Sequence, residues 1–200
     1  MIKRALIIIA VINLIGIINS CCEEDINYKW IRVSTELIDN SGNAPIITSL
    51  DRINKKAFGI RVYLQDSVLY YSYLPKFYNT AYATSCSHNY IAANSVKDIS
   101  VKTLYDFDSI KTKNSEISDY FTSRLSQDIN SDYYNISEIV SKFNNRNNLH
   151  NADKNGNNED SFDLFLMKQS NTNDTCQFQI EIKFTDETSI KCLTRKLILF

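Results

Sequence analysis

The sequence predicts an all-β fold: a mainly antiparallel, immunoglobulin-like sandwich with one or two short helices inserted before a C-terminal hairpin. Three observations favour it. Short segments of alternating apolar and polar residues dominate the chain after residue 27. Turn-forming residues separate these segments. The length of 200 residues suits one domain with a substantial core, expected over residues 28–200.

The strands follow from the positions of their apolar residues. Residues 57–64 are the clearest early strand, because residues such as Phe58 and Ile60 share one face at a period of two. The other predicted strands are residues 28–37, 96–104, 162–167, 178–184 and 190–200. The last two are expected to form a hairpin that turns at Asp186 and Glu187.

Helical spacing is confined to two short segments. In residues 136–143 the apolar residues Ile136, Ile139 and Val140 fall on one face of a helix. Residues 115–125 carry apolar residues at four-residue steps and are predicted to hold a shorter helix. Both segments precede the C-terminal hairpin.

The charge balance argues against a nucleic-acid partner. The chain has 22 basic and 23 acidic residues, a formal net charge of -1. Loss of a leader containing Lys3 and Arg4 would leave 20 basic residues against 23 acidic ones. Nucleic-acid binders concentrate positive charge to neutralise phosphates, and this chain does not.

Residues 1–20 have the three parts of an export signal. Lys3 and Arg4 precede an almost wholly apolar run, which is shorter than the roughly 20 residues of a membrane-spanning helix. The end, Ile18-Asn19-Ser20-Cys21, resembles the lipobox of bacterial lipoproteins. This resemblance implies cleavage between Ser20 and Cys21 and lipidation of Cys21. An ordinary secretory signal and an uncleaved anchor are the alternatives.

Residues 21–27 are expected to form a short acidic tether between anchor and domain. Glu23, Glu24 and Asp25 resemble the surface-export signal of lipoproteins in Bacteroidota. This resemblance implies an outer-membrane lipoprotein that is exposed at the cell surface and contacts the membrane through its lipid. The alternative is a simple solvated tether on a periplasm-facing or secreted protein.

The remaining cysteines are candidates for disulfides, which an exported protein permits. In the expected domain these are Cys86, Cys176 and Cys192. Cys176 and Cys192 lie on the two strands of the predicted hairpin. Its turn would place Cys192 opposite a residue near Glu181, so a bond between Cys176 and Cys192 would need an irregular turn. The pairing stays open.

The stretch from residue 70 to residue 90 is unusually rich in aromatic residues. Tyr70, Tyr71, Tyr73 and Tyr78 are candidate ligand contacts, because exposed tyrosines can stack on sugar rings or anchor a protein partner. The alternative is that these rings fill the core and edges of the sandwich.

The sequence predicts neither an enzyme nor a cofactor or metal site. Cys86 and His88 would stand about 7 Å apart on one face of a strand, beyond the reach of a nucleophile and its base. No close pair of cysteines in the expected domain suggests a metal site.

Several segments together resemble a known family. They are Tyr28-Lys29-Trp30-Ile31, Asp39-Asn40-Ser41-Gly42, Pro45-Ile46-Ile47, Ala57-Phe58-Gly59-Ile60-Arg61, Ala81-Tyr82-Ala83-Thr84-Ser85-Cys86 and Phe162-Asp163-Leu164-Phe165-Leu166. In this order, after a short lipoprotein signal, they resemble a family of uncharacterised Bacteroidota lipoproteins with a domain of unknown function. The resemblance implies an envelope location and supplies no activity.

The function expected from these observations is a surface-exposed binding or adhesion module of the cell envelope, or an accessory module in nutrient capture. Its partner would be a surface glycan or a protein. A structural periplasmic envelope protein is the alternative, and a secreted hydrolase is a third reading.

Overall fold

The computed structural model describes residues 24–70, 88–126, 132–145, 159–168 and 175–200. The strands are β1 Glu24–Asp39, β2 Ile46–Ile47, β3 Arg52–Ile53, β4 Phe58–Tyr70, β5 His88–Ala92, β6 Val96–Thr103, β7 Phe121–Leu125, β8 Glu159–Leu166, β9 Thr175–Cys176, β10 Phe178–Phe184, β11 Ser189–Leu193 and β12 Leu197–Leu199. The helix α1 is Ile136–Asn144, and a 3-10 turn covers Ser118–Tyr120. Within these ranges, no helix is long and apolar enough to cross a membrane.

The largest sheet has the strand order β2-β1-β4-β8-β7. These neighbours pair antiparallel, and β5 adds to β1 in parallel. On β4, Ile60, Val62 and Leu64 are fully buried in the core, whereas Arg61 and Tyr63 belong to the opposite, outer face. The alternation predicted for residues 57–64 therefore separates a core face from an outer face.

A second sheet, β11-β10-β6, packs against the inner face of the first. In β10 the apolar residues Phe178, Ile180, Ile182 and Phe184 are all fully buried. The ring of Phe178 lies 5.5 Å from that of Phe58, centroid to centroid. A small third sheet, β3-β12-β9, completes the fold. The predicted all-β, mainly antiparallel sandwich is confirmed.

The helix α1 begins at a capping box. The Asn135 side chain accepts a hydrogen bond from the Glu138 backbone N–H at 2.8 Å, and the Glu138 carboxylate accepts from the Asn135 backbone N–H at 3.2 Å. These two bonds satisfy donors that a helix start leaves free. The buried ring of Phe143 packs 5.7 Å from Trp30 and 5.8 Å from Phe162. The predicted helix over residues 136–143 is confirmed, and it precedes the C-terminal hairpin.

The C-terminal hairpin is also confirmed. Strands β10 and β11 pair antiparallel, and the turn between them contains Asp186 and Glu187. Glu187 has a φ of 62°, in the left-handed region. The long last strand expected over residues 190–200 is instead two strands, because β11 ends at Leu193 and β12 leaves the hairpin to join β3 and β9.

The shorter helix predicted within residues 115–125 is wrong. Only the 3-10 turn at Ser118–Tyr120 is helical, and the chain continues as β7. The inward residues Phe121 and Leu125 pair with Leu166 and Phe162 of β8. Apolar residues four apart fit one face of a helix and one face of a strand equally well, and pairing with β8 decides between them.

Strand β1 begins within the segment expected to be a tether. The backbones of Glu24 and Asp25 pair with His88 and Asn89 of β5. The sheet thus starts three residues after Cys21.

Gly59, on the outer face of β4, occupies a position with no room for a side chain. A Cβ atom at this position would lie 2.8 Å from Ile38 Cγ1 and 2.9 Å from the backbone oxygen of Leu164. Gly59→Ala is therefore expected to lower the free energy of unfolding by about 1–3 kcal/mol through overpacking. Urea unfolding followed by fluorescence of Trp30, the single tryptophan, measures this change.

Gly42→Ala is the matched control. Its Cβ would come no closer than 3.9 Å to the Ala44 oxygen, so stability should change by less than about 0.5 kcal/mol. Equal unfolding midpoints for the two variants would contradict the close approach at Gly59.

Candidate functional site

Most of the residues that the sequence singles out lie outside the described part of the chain. These are Ser20, Cys21, Glu23, Tyr71, Tyr73, Tyr78 and Cys86. Tyr70 ends β4, where its backbone is the partner of Asn27. The tyrosine-rich stretch therefore starts beside the beginning of β1.

The two described cysteines are not neighbours in the hairpin. Cys192 pairs with Ile180, and Cys176 pairs with Leu197 of β12. Cys192 carries a free thiol, and burial raises the pKa of this thiol to about 11. Its position agrees with the expectation that it would lie opposite a residue near Glu181. In the described ranges, no three His, Cys, Asp or Glu side chains come together as metal ligands.

An ion-pair row crosses the outer face of the large sheet. Arg61, Asp163 and Arg124 occupy paired positions on β4, β8 and β7. The Arg61 guanidinium donates from Nε and Nη2 to the two Asp163 oxygens at 2.7 and 2.9 Å. Ser126 Oγ donates to Asp163 Oδ1 at 2.8 Å, and Arg124 Nη2 lies 3.9 Å from Oδ2. The carboxylate is fully buried, and its hydrogen bond raises the pKa of Arg61.

The adjacent row forms a cluster around the Phe165 ring. It consists of Ile38, Gly59, Phe165 and Thr122, paired in that order across four strands. Ile38 and Phe165 are buried although they point away from the core. The ring of Tyr133 packs edge-on against Phe165 at 5.5 Å and is itself 53% exposed.

Arg124 connects the ion-pair row to this cluster. Its guanidinium carbon lies 5.6 Å from the centroid of the Tyr133 ring and 5.4 Å from that of Phe165. Contacts of this kind between a cation and an aromatic face are attractive. The buried ion pair with Asp163 thereby holds the side chain that orients the exposed Tyr133 ring.

A groove of about 310 Å³ opens beside this ring. We call it the Tyr133 groove, and its lining includes Asn40, Lys56, Thr122, Tyr133, Phe165 and Met167. It lies where β1 ends and β4 begins, a junction closed by the hydrogen bond from Asn40 N–H to the Ala57 oxygen at 2.8 Å. The lining combines an exposed ring, an amide and an ammonium group, which suits ligand binding.

A second, wider groove of about 450 Å³ is lined by Leu50, Asp51, Arg52 and Phe200. The Arg52 guanidinium carbon lies 5.3 Å from the Phe200 ring centroid, and Arg195 bonds to Asp51 at 3.3 Å. The cations of this groove are thus already engaged with the protein. The Tyr133 groove is the better candidate for a ligand site.

Sequence patterns do not predict the Tyr133 groove, although they contain one signal for the ion pair that supports it. Arg61 is the single charged residue of the segment Ala57–Arg61, and Asp163 is the single charged residue of the segment Phe162–Leu166. A charge in the middle of a buried strand needs an opposite charge nearby. Tyr133 gives no such signal, because only tertiary packing brings it to Phe165.

Replacing Asp163 should be strongly destabilising. Asp163→Asn keeps the shape but removes the charge that Arg61 and Arg124 face, and loss of one partner of a buried ion pair costs about 3–5 kcal/mol. The expected result is a fall of this size in the free energy of unfolding, measured with urea and Trp30 fluorescence.

Glu187→Gln serves as the comparison, since it breaks the exposed Lys97–Glu187 pair and should cost less than about 1 kcal/mol. An Asp163→Asn protein as stable as the Glu187→Gln protein would refute the importance of the buried pair.

Comparison with known proteins adds one match. The family model described as a domain of unknown function, DUF5034, matches residues 31–195. The search of curated proteins found no match. The search of solved structures likewise found none. The matched range extends from within β1 to Arg195 and so includes the Tyr133 groove and the ion-pair row. The chain therefore belongs to the family defined by DUF5034, a domain of unknown function.

Proposed function

We propose that this chain is a Bacteroidota lipoprotein of the cell envelope that displays a glycan-binding groove. Lipid on Cys21 anchors it in the outer membrane, and the domain faces the outside of the cell. The observation that carries the proposal is the position of the Tyr133 groove at the end of the large sheet opposite the start of β1.

The anchor is supported by the lipobox-like end of residues 1–20. Several acyl chains on one cysteine hold a protein stably, whereas a single chain holds it only marginally. The acidic residues Glu23, Glu24 and Asp25 directly follow and support export to the surface. From Cys21 to Glu24 the chain reaches at most about 10 Å, so the start of β1 would lie close to the bilayer.

The length of β1 separates the groove from that anchor. At roughly 3.3 Å per residue, the 16 residues of β1 span about 50 Å. Asn40, at the groove, follows the last residue of this strand. An upright sheet would therefore hold the groove well above the lipid headgroups, where a ligand outside the cell can reach it.

The groove also has the chemistry of a sugar site. The exposed Tyr133 ring offers a flat apolar face, and Asn40 and Lys56 offer hydrogen-bonding groups beside it. Tyr70, Tyr71, Tyr73 and Tyr78 remain proposed contacts as well. Tyr70 pairs with Asn27 at the end of the sheet away from the Tyr133 groove, so a contact made by Tyr70 would belong to a separate site.

Labelled fatty acid fed to the native bacterium tests the anchor. We expect label on the wild-type protein and on Cys22→Ala, but none on Cys21→Ala, because only Cys21 follows the lipobox. Protease treatment of intact cells should remove the wild-type protein. Label that persists in Cys21→Ala would refute the anchor, and protection from protease would refute surface exposure.

A panel of soluble oligosaccharides tests binding. For a glycan that binds, Tyr133→Ala should weaken affinity about tenfold, since one aromatic contact is worth about 0.5–1.5 kcal/mol and about 1.4 kcal/mol corresponds to a factor of ten. Titration calorimetry measures the affinity. Phe200→Ala, which removes the ring of the second groove, should leave it unchanged. The reverse pattern would move the site to the second groove.

A further inference from the structure

We propose that the Tyr133 groove selects carboxylated sugars, that is, oligosaccharides containing uronic acid. This inference rests on the proposed function and names the class of its ligand. It is carried by the charge of the groove lining, by the limited size of the groove and by the slightly acidic character of the whole chain.

The charge of the lining is one-sided. Among the described residues that line the groove, Lys56 is the one with a charged side chain, and no carboxylate joins it. Within the same described ranges, Lys56 takes part in no ion pair. Its backbone is held by a hydrogen bond to Asn54 Oδ1 at 3.0 Å, so the ammonium group extends from a fixed point. An anionic ligand would supply the opposite charge.

A second positive charge lies behind the aromatic face. Arg124 contacts the Tyr133 ring from the protein side and also forms an ion pair with Asp163. A sugar stacked on Tyr133 would thus have the Lys56 ammonium beside it and a guanidinium behind the ring. Hydrogen bonds between an ammonium and a carboxylate are about twice as strong as neutral ones.

The size of the groove favours a saccharide over a protein. A specific protein partner buries about 800 Å² on each side, far more than this groove presents. The chain has a net charge of -1, so it does not attract anionic polymers in general. Binding of an anion would therefore report the local arrangement of Lys56 and Tyr133.

The test compares matched charged and neutral sugars. Oligosaccharides of galacturonic, mannuronic and glucuronic acid are titrated into the full mature protein, each beside its methyl ester, which keeps the ring and removes the charge. At least one free acid should bind, and its ester should bind at least tenfold more weakly. Lys56→Gln should reduce affinity for the acid about tenfold and abolish the preference over the ester.

Lys55→Gln is the control, because it makes the same change in net charge one residue away and outside the groove lining. The affinity of this variant for the acid should stay within about twofold of the wild-type value. Urea unfolding confirms that each variant is folded.

The other outcomes are informative. If the acid and its ester bind with equal affinity, and Tyr133→Ala loses both, the selection of carboxylates is overturned and a neutral-glycan site remains. Binding of polyglutamate as tight as that of the uronates would overturn the selection of sugars. A protein that binds no acidic or neutral oligosaccharide would overturn the proposed glycan-binding function itself, and the inference with it.

Discussion

Asp163 is a fully buried carboxylate on the side of its strand that faces away from the core. Removing a charge from water is costly unless an opposite charge and hydrogen bonds replace the lost hydration. Arg61 on β4 and Ser126 just after β7 supply these bonds at 2.7–2.9 Å. A slip of one residue in β8 would turn the carboxylate into the apolar core. The ion pair therefore fixes how three strands of the large sheet align.

That alignment determines the neighbouring row and the site built on it. With Arg61 opposite Asp163, Gly59 falls opposite Phe165, and its missing side chain lets Ile38 approach. Phe165 then forms a base for Tyr133. The Tyr133 groove is thus a consequence of strand register, and the exposed ring is positioned by buried groups that do not face a ligand.

Much of the sandwich was predictable because its strands alternate cleanly. In residues 57–64 and 178–184 every second residue is apolar and faces the core, and the helix over residues 136–143 shows its period directly. The helix predicted within residues 115–125 is wrong because apolar residues four apart suit a helix and a strand equally well. The sequence pattern does not show that β11 ends at Leu193. Apolar residues continue beyond this point, while the chain leaves β10 and pairs with β3 and β9 as β12.

The sequence by itself determined the fold class, the hairpin, the helix over residues 136–143 and the family resemblance, because these depend on local periodicity and on short motifs. It also supplied the lipobox-like motif on which the proposed anchor rests. The tertiary structure alone decided that Arg61, Asp163 and Arg124 lie in one row and that Tyr133 packs beside them. Arg61 and Asp163, for example, are 102 positions apart in the chain. No local pattern encodes a contact between side chains on strands so distant in sequence.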